Sequence, residues 1–101
     1  MKILILLVII FILGPIAKLK SEEMWVYFGT YTRDKESQGV YVSKLNLKNG
    51  KLSKPSLAAT GDNPSFVTIL PNEEFLVAVE ETNDYQGESS GSLACYKINH
   101  N

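Results

Sequence analysis

Two adjacent carboxylates and two small polar residues are the side chains of this sequence best placed to do chemistry. Glu80 and Glu81 end the apolar run "FLVAV", and carboxylates with perturbed pKa values often lie where a buried strand opens into a cleft. There a carboxylate can contribute to the binding of a substrate. Asn63 and Ser65 flank Pro64 at the start of the preceding segment and are candidates to line the same cleft. The simpler alternatives are a solvated strand end for Glu80 and Glu81, and a turn with Pro64 for Asn63 and Ser65.

The single histidine and the single cysteine do not add a further site. His100 lies near the end of the sequence without a cysteine or carboxylate at metal-ligand spacing, so we expect it to be solvated. Cys95 occupies an apolar position of the segment "SLACYKI" and is expected to be a small core residue. The residues themselves therefore predict no catalytic group, no metal site and no cofactor.

The size and the charge of the chain limit its class and its partners. The 101 residues carry ten Lys and Arg against eleven Asp and Glu, a net charge of −1. That balance offers no basic surface to a phosphate backbone, so nucleic acid is not an expected partner. The length allows one small domain at most.

Residues 1–21 are predicted to be a targeting segment. A basic start at Lys2 precedes an unbroken apolar run over 3–13, a Gly14-Pro15 break and a polar region, which is the layout of a secretory signal peptide. We therefore expect an exported protein, periplasmic or extracellular. The alternative is an uncleaved N-terminal hydrophobic anchor, and contact with a membrane is expected only in that case.

From residue 22 onward the sequence predicts strands and turns. Apolar segments alternate with polar loops, and no stretch has a helical period long enough to compete. The dipeptide Asn49-Gly50 predicts a hairpin between the second and the third strand. The predicted strands cover 24–31, 39–47, 52–60, 65–70, 75–81 and 92–98.

The two halves of this region repeat each other. A Glu-Glu pair at 22–23 recurs at 73–74, and "KLN" at 44–46 recurs as "KIN" at 97–99. A period of about fifty residues with about four short strands is typical of a β-propeller blade, which cannot bury both of its faces without neighbouring blades. The predicted fold class is therefore all-β, a partial β-propeller of about one and a half blades over residues 22–101.

Four segments carry a resemblance to a known family. They are "YFGTYT", "GVYVSKLNLKNGKLS", "NPSFVTILPNEEFLVAVEE" and "GSLACYKIN", in this order. Together they resemble the opening of the seven-bladed β-propeller lactonases of the 6-phosphogluconolactonase type. The resemblance implies a hydrolase of carbohydrate metabolism that opens a small-molecule lactone. The sequence departs from the family where an Asn-Glu pair usually ends the strand, because here the pair is Glu80-Glu81.

The resemblance also implies that the chain is an N-terminal fragment. Seven blades of about fifty residues require some 350 residues, whereas 80 follow the predicted leader. In the family, the His, Arg and Glu groups proposed to act on the lactone come from later blades, so we expect this chain to be inactive alone. Three functions remain open: the first part of an exported lactonase, a non-catalytic propeller module that binds a ligand, and a non-functional truncated gene product.

Overall fold

The computed structural model describes residues 22–100, which fold into two three-stranded antiparallel sheets. Sheet A contains β1 (Glu23–Phe28), β2 (Gly39–Asn46) and β3 (Ser56–Thr60), and sheet B contains β4 (Pro64–Ile69), β5 (Phe75–Glu80) and β6 (Ser92–Lys97). Each sheet follows the order of its strands along the chain. The all-β prediction of a partial propeller is confirmed, and a single 3₁₀ turn at Tyr85–Gly87 interrupts the β5–β6 connection.

The predicted leader over 1–21 lies outside the described residues. Within residues 22–100, no helix has the length and the apolar character needed to cross a membrane.

The predicted hairpin at Asn49-Gly50 is present between β2 and β3. Asn46 N donates to Lys51 O at 2.8 Å, and Gly50 N donates to Asn46 O at 2.8 Å. Gly50 has a φ of 73°, a left-handed conformation that glycine adopts without steric cost. The turn chemistry therefore sets the pairing beside the turn, where Leu45 bridges Leu52.

The third strand begins later than its sequence pattern predicts. Leu52 forms an isolated bridge with Leu45, but regular pairing resumes only at Ser56. Pro55 lies directly before that point and has no N–H to donate to a ladder. The interruption therefore follows from the proline.

The two sheets stack face to face around a small apolar core. Val40 of sheet A and Leu76 and Ala78 of sheet B are buried, and the half-buried residues Tyr27, Val67, Tyr96 and Ile98 pack against them. Each sheet therefore buries one face against the other, as neighbouring blades of a propeller do.

The opposite face of sheet B, here called its outer face, remains apolar and exposed. Phe66 pairs with Val79, and Val79 pairs with Leu93, so the three side chains lie in one row across the sheet. Phe66 is 70% exposed and Leu93 is 72% exposed. Cys95 is exposed as well, so its prediction as a core residue is wrong. Because neighbouring residues of a strand face opposite sides, Tyr96 takes the side toward sheet A.

Candidate functional site

Antiparallel pairing brings the four candidate site residues to one end of sheet B. Pro64, the first residue of β4, pairs with Glu80, the last residue of β5. Asn63 immediately precedes this pair and Glu81 follows it. Ser65 lies at a β-bulge, where the register between the two strands shifts, and a bulge changes the direction in which a side chain points. One short stretch of backbone pairing thus assembles residues that are 18 positions apart in sequence.

A tyrosine from the β1–β2 loop completes a hydrogen-bonded group around Glu81, because β1 ends at Phe28 and not at residue 31 as the sequence predicts. Ser65 Oγ donates to Glu81 Oε2 at 2.6 Å, and Tyr31 Oη donates to the same oxygen at 2.8 Å. We call these three residues the Glu81 cluster. Tyr31 was not among the residues singled out from the sequence, because only the stacking of the sheets brings it to a residue 50 positions away.

The charges in the cluster fix its protonation state near neutral pH. The hydrogen bond from Ser65, followed by the one from Tyr31, lowers the pKa of Glu81 below its ordinary 4.5. The bond to Glu81 and the charge of that carboxylate raise the pKa of Tyr31 above 10.0. The positive charge of Arg33 contributes to the lowered pKa of Glu81 and offsets a small part of the rise in the pKa of Tyr31. Glu81 is therefore a carboxylate and Tyr31 a neutral phenol between these limits.

Asn63 lies behind the cluster and joins the two sheets. Its side chain is 1% exposed, and its Oδ1 accepts a hydrogen bond from Thr32 N at 2.7 Å. In return Asn63 N donates to Thr32 Oγ1 at 3.0 Å. Its carbonyl accepts from Ser65 N and Glu81 N, at 2.7 and 2.9 Å. This arrangement is the turn alternative of the sequence analysis, and it places Asn63 as a support for the cluster.

Asn63 also has an unusual backbone conformation, with a φ of 49°. Asparagine is one of the few residues that adopt the left-handed region routinely. The position therefore requires both this backbone conformation and the hydrogen bonds of an amide side chain.

The backbone just after β1 also approaches the start of β4 closely. Thr30 N donates to Pro64 O at 3.0 Å, and a side chain at Gly29 would overlap that carbonyl. A glycine at position 29 therefore allows the end of β1 to reach the start of β4.

Glu80 does not join the cluster. It pairs with Ser92 on the far side of β5, and its charge is the second cause, after burial, that raises the pKa of Tyr96. Tyr96 Oη donates to Thr60 O at 3.1 Å. Of the two adjacent glutamates, the structure places only Glu81 with Ser65.

A polar pocket of about 360 Å³ adjoins the cluster at the same end of the sheets. It is lined by Arg33, Asp62, Asn63, Thr82, Asn83 and Asp84. His100 is exposed at a different place, with a ring nitrogen 3.0 Å from Glu73 O. Residues 22–100 contain no group of three or more His, Cys, Asp and Glu side chains that could hold a metal ion.

The pKa of Glu81 offers a direct test of the cluster. We expect Ser65→Ala to raise this pKa toward 4.5 and Tyr31→Phe to raise it by less, because the bond from Ser65 is the larger cause of the shift. The measurement is a pH titration of the Glu81 carboxyl carbon by NMR. Tyr85→Phe, at an exposed phenol between β5 and β6, is the control and is expected to leave the pKa unchanged. The same Glu81 pKa in the unaltered protein and in all three variants would contradict the hydrogen bonds that Ser65 and Tyr31 donate to Glu81.

The shifted pKa values of Glu81 and Tyr31 make the stability of the folded chain depend on pH. The stabilisation from the ionised cluster is present above the ordinary pKa of 4.5 and is lost as the pH falls through the lower value of the folded state. For Tyr31 the stabilisation is present below 10.0 and is lost as the pH rises through the higher folded value.

Known proteins resemble this chain over nearly all of its described part. A sequence model of the family "Lactonase, 7-bladed beta-propeller" matches residues 25–101. The 6-phosphogluconolactonase of Bacillus subtilis (strain 168) is 35% identical over 75 residues, which are 74% of this chain and 20% of the relative. The 6-phosphogluconolactonase of Formosa agariphila is 30% identical over 76 residues, 75% of this chain and 21% of the relative.

A solved structure shows the same fold. The crystal structure of a candidate 6-phosphogluconolactonase from Bacteroides uniformis superposes with a TM-score of 0.67 at 30% identity, covering 78% of this chain and 21% of the other. The chain spans about one fifth of the length of each of these proteins. Since the family match covers most of the sequence and the two sheets have the stacking of neighbouring blades, the chain belongs to the family of seven-bladed β-propeller lactonases.

Proposed function

We propose that this chain supplies two three-stranded sheets, about one and a half blades, of a propeller that hydrolyses a lactone, with a reaction like that of the 6-phosphogluconolactonases. The observation that carries the proposal is the family match over residues 25–101, and two relatives named 6-phosphogluconolactonase support the reaction type. The substrate contacts contributed by these blades are proposed to lie at the end of sheet B, at Ser65 and Glu81. Asn63 supports them, and Glu80 is a strand-end residue.

The chemistry of ring opening assigns this end of the sheets a binding role. Hydrolysis of a cyclic ester requires a base that activates water and donors that stabilise the oxyanion. A carboxylate whose pKa is lowered, as that of Glu81 is, is a weak base. The hydroxyl hydrogens of Ser65 and Tyr31 are already donated to Glu81, so they are poor oxyanion donors. We therefore assign the catalytic base and the oxyanion donors to the other blades.

A hybrid protein tests this function. Residues 25–100 would replace the matching segment of the Bacillus subtilis relative, which supplies the remaining four fifths of the propeller. We expect the hybrid to hydrolyse 6-phosphogluconolactone or the unphosphorylated sugar lactone faster than buffer does. The intact relative is the positive control. A hybrid that unfolds in one cooperative transition but hydrolyses neither lactone would overturn the proposal.

We also propose that residues 1–21 direct export of the protein. Fusion of residues 1–23 to a reporter that is active only outside the cytoplasm is expected to give activity, because the segment has the layout of a signal peptide. The same reporter fused to residues 24–46 is the control and is expected to stay inactive. Equal inactivity of the two fusions would contradict export.

A further inference from the structure

The Glu81 cluster presents hydrogen-bond acceptors to the solvent. A hydroxyl has one hydrogen to donate and two lone pairs that accept. Tyr31 and Ser65 both donate their hydrogen to Glu81 Oε2, so only their lone pairs remain for a ligand. The carboxylate of Glu81 has further acceptor sites on both of its oxygens. A ligand that binds here must therefore supply donors.

The position of the cluster makes it accessible to a small ligand. Tyr31 is 59% exposed, Glu81 is exposed and Ser65 is half-buried. The polar pocket next to the cluster is lined by Asn63 and Thr82 but not by the three cluster residues, so a ligand at the cluster lies at the rim of that pocket. Because Asn63 is buried and hydrogen-bonded to Thr32 and Glu81, the acceptors are held in place before a ligand arrives, which lowers the entropic cost of binding.

The charges of the cluster discriminate between ligand classes. A phosphate or carboxylate group near Glu81 would be repelled by the ionised carboxylate, and Asp62 and Asp84 add negative charge to the adjoining pocket. Arg33 is the cation that lines this pocket. Neutral groups with several O–H donors satisfy the acceptors without this repulsion.

We propose that Tyr31, Ser65 and Glu81 form a subsite for the hydroxyl groups of a polyhydroxylated lactone, and that any phosphate on the substrate binds elsewhere in the propeller. This inference rests on the proposed function. It adds the part of the substrate that these blades recognise and the residues that recognise it.

Two substrates, one with hydroxyl groups and one without, distinguish a binding role of the three residues from a purely structural role. In the hybrid protein, Glu81→Gln is expected to raise the KM for D-glucono-δ-lactone about tenfold, the usual size of a lost hydrogen bond to a charged group. The kcat is expected to change by less than a factor of about three, since the reacting carbonyl lies elsewhere. For δ-valerolactone, which has no hydroxyl groups, kcat/KM is expected to stay unchanged.

Matched variants complete the kinetic test. Tyr31→Phe and Ser65→Ala are expected to raise the same KM by smaller factors, because each removes a neutral hydroxyl. Glu74→Gln, at an exposed glutamate in the turn between β4 and β5, is the control and is expected to change neither constant. Equal losses on both lactones, or no loss on either, would overturn the subsite.

Direct binding decides the question if the hybrid proves inactive. The NMR signals of Glu81 and Ser65 in the hybrid are expected to shift on titration with 1,5-anhydroglucitol, a polyol that cannot be hydrolysed, and to stay fixed on titration with inorganic phosphate. Glu81→Gln is expected to abolish the response to the polyol. Shifts with phosphate, or no shift with either compound, would refute the subsite, whereas absent turnover alone would refute only the proposed reaction.

Discussion

Residues 20–101, purified alone, are expected to elute from a sizing column as associated species and to hydrolyse a δ-lactone no faster than buffer does. Phe66 and Leu93 leave the outer face of sheet B exposed to water. At about 25 cal/mol per Å² of apolar surface, a few hundred Å² of exposed blade face amounts to several kcal/mol, which is comparable to the whole stability of a small domain. Exposed strand edges add a second route to association.

Substitutions on the outer face identify the source of the association. Phe66→Thr together with Leu93→Thr is expected to shift the elution toward the monomer without creating activity. Leu47→Thr, at a leucine 53% exposed beside the β2–β3 turn, is the control and is expected to leave the elution unchanged. A sharp monomer peak for the unaltered chain, with turnover above the buffer rate, would show that the chain is a complete small enzyme.

Replacement of Asn63 by alanine is expected to destabilise the fold through two separate losses. It removes the acceptor of Thr32 N and leaves a half-buried donor without this partner, at a cost of about 1 kcal/mol. It also forces alanine into the left-handed region at a φ of 49°, at a cost of about 1–2 kcal/mol. In the hybrid protein, the urea midpoint is expected to fall accordingly.

Two companion variants separate these contributions. Asn63→Gly keeps the backbone freedom but lacks the amide, so it is expected to recover only the backbone part of the loss. Asn72→Ala, at an exposed asparagine in the β4–β5 turn, is expected to change the free energy of unfolding by less than about 0.5 kcal/mol and so to leave the midpoint almost unchanged. A midpoint for Asn63→Ala equal to that of Asn72→Ala would contradict the structural role of Asn63.

The sequence predicted the all-β fold class and six strands, although not all of their bounds. Local patterns were sufficient for the hairpin at Asn49-Gly50. They named Ser65 and Glu81 as separate candidates, and the hydrogen bond between them comes from the antiparallel pairing of β4 with β5. The contribution of Tyr31 was out of reach, since it depends on how sheet A stacks on sheet B. The exposure of Cys95 was missed for a related reason: an apolar strand indicates that its faces can be buried, but the neighbour that buries each face is a property of the assembled fold.

The stacking of the two sheets also sets the symmetry that associated copies can adopt. The outer face of sheet B, with Phe66 and Leu93, differs from the far face of sheet A, so copies that join one to the other form a heterologous contact, which closes into a ring or continues as a filament. Each copy contributes two sheets, so a closed ring of copies always contains an even number. The family propeller has seven blades, and an odd number cannot be reached in this way. Face-to-face association of copies therefore cannot reproduce the seven-bladed ring of the family.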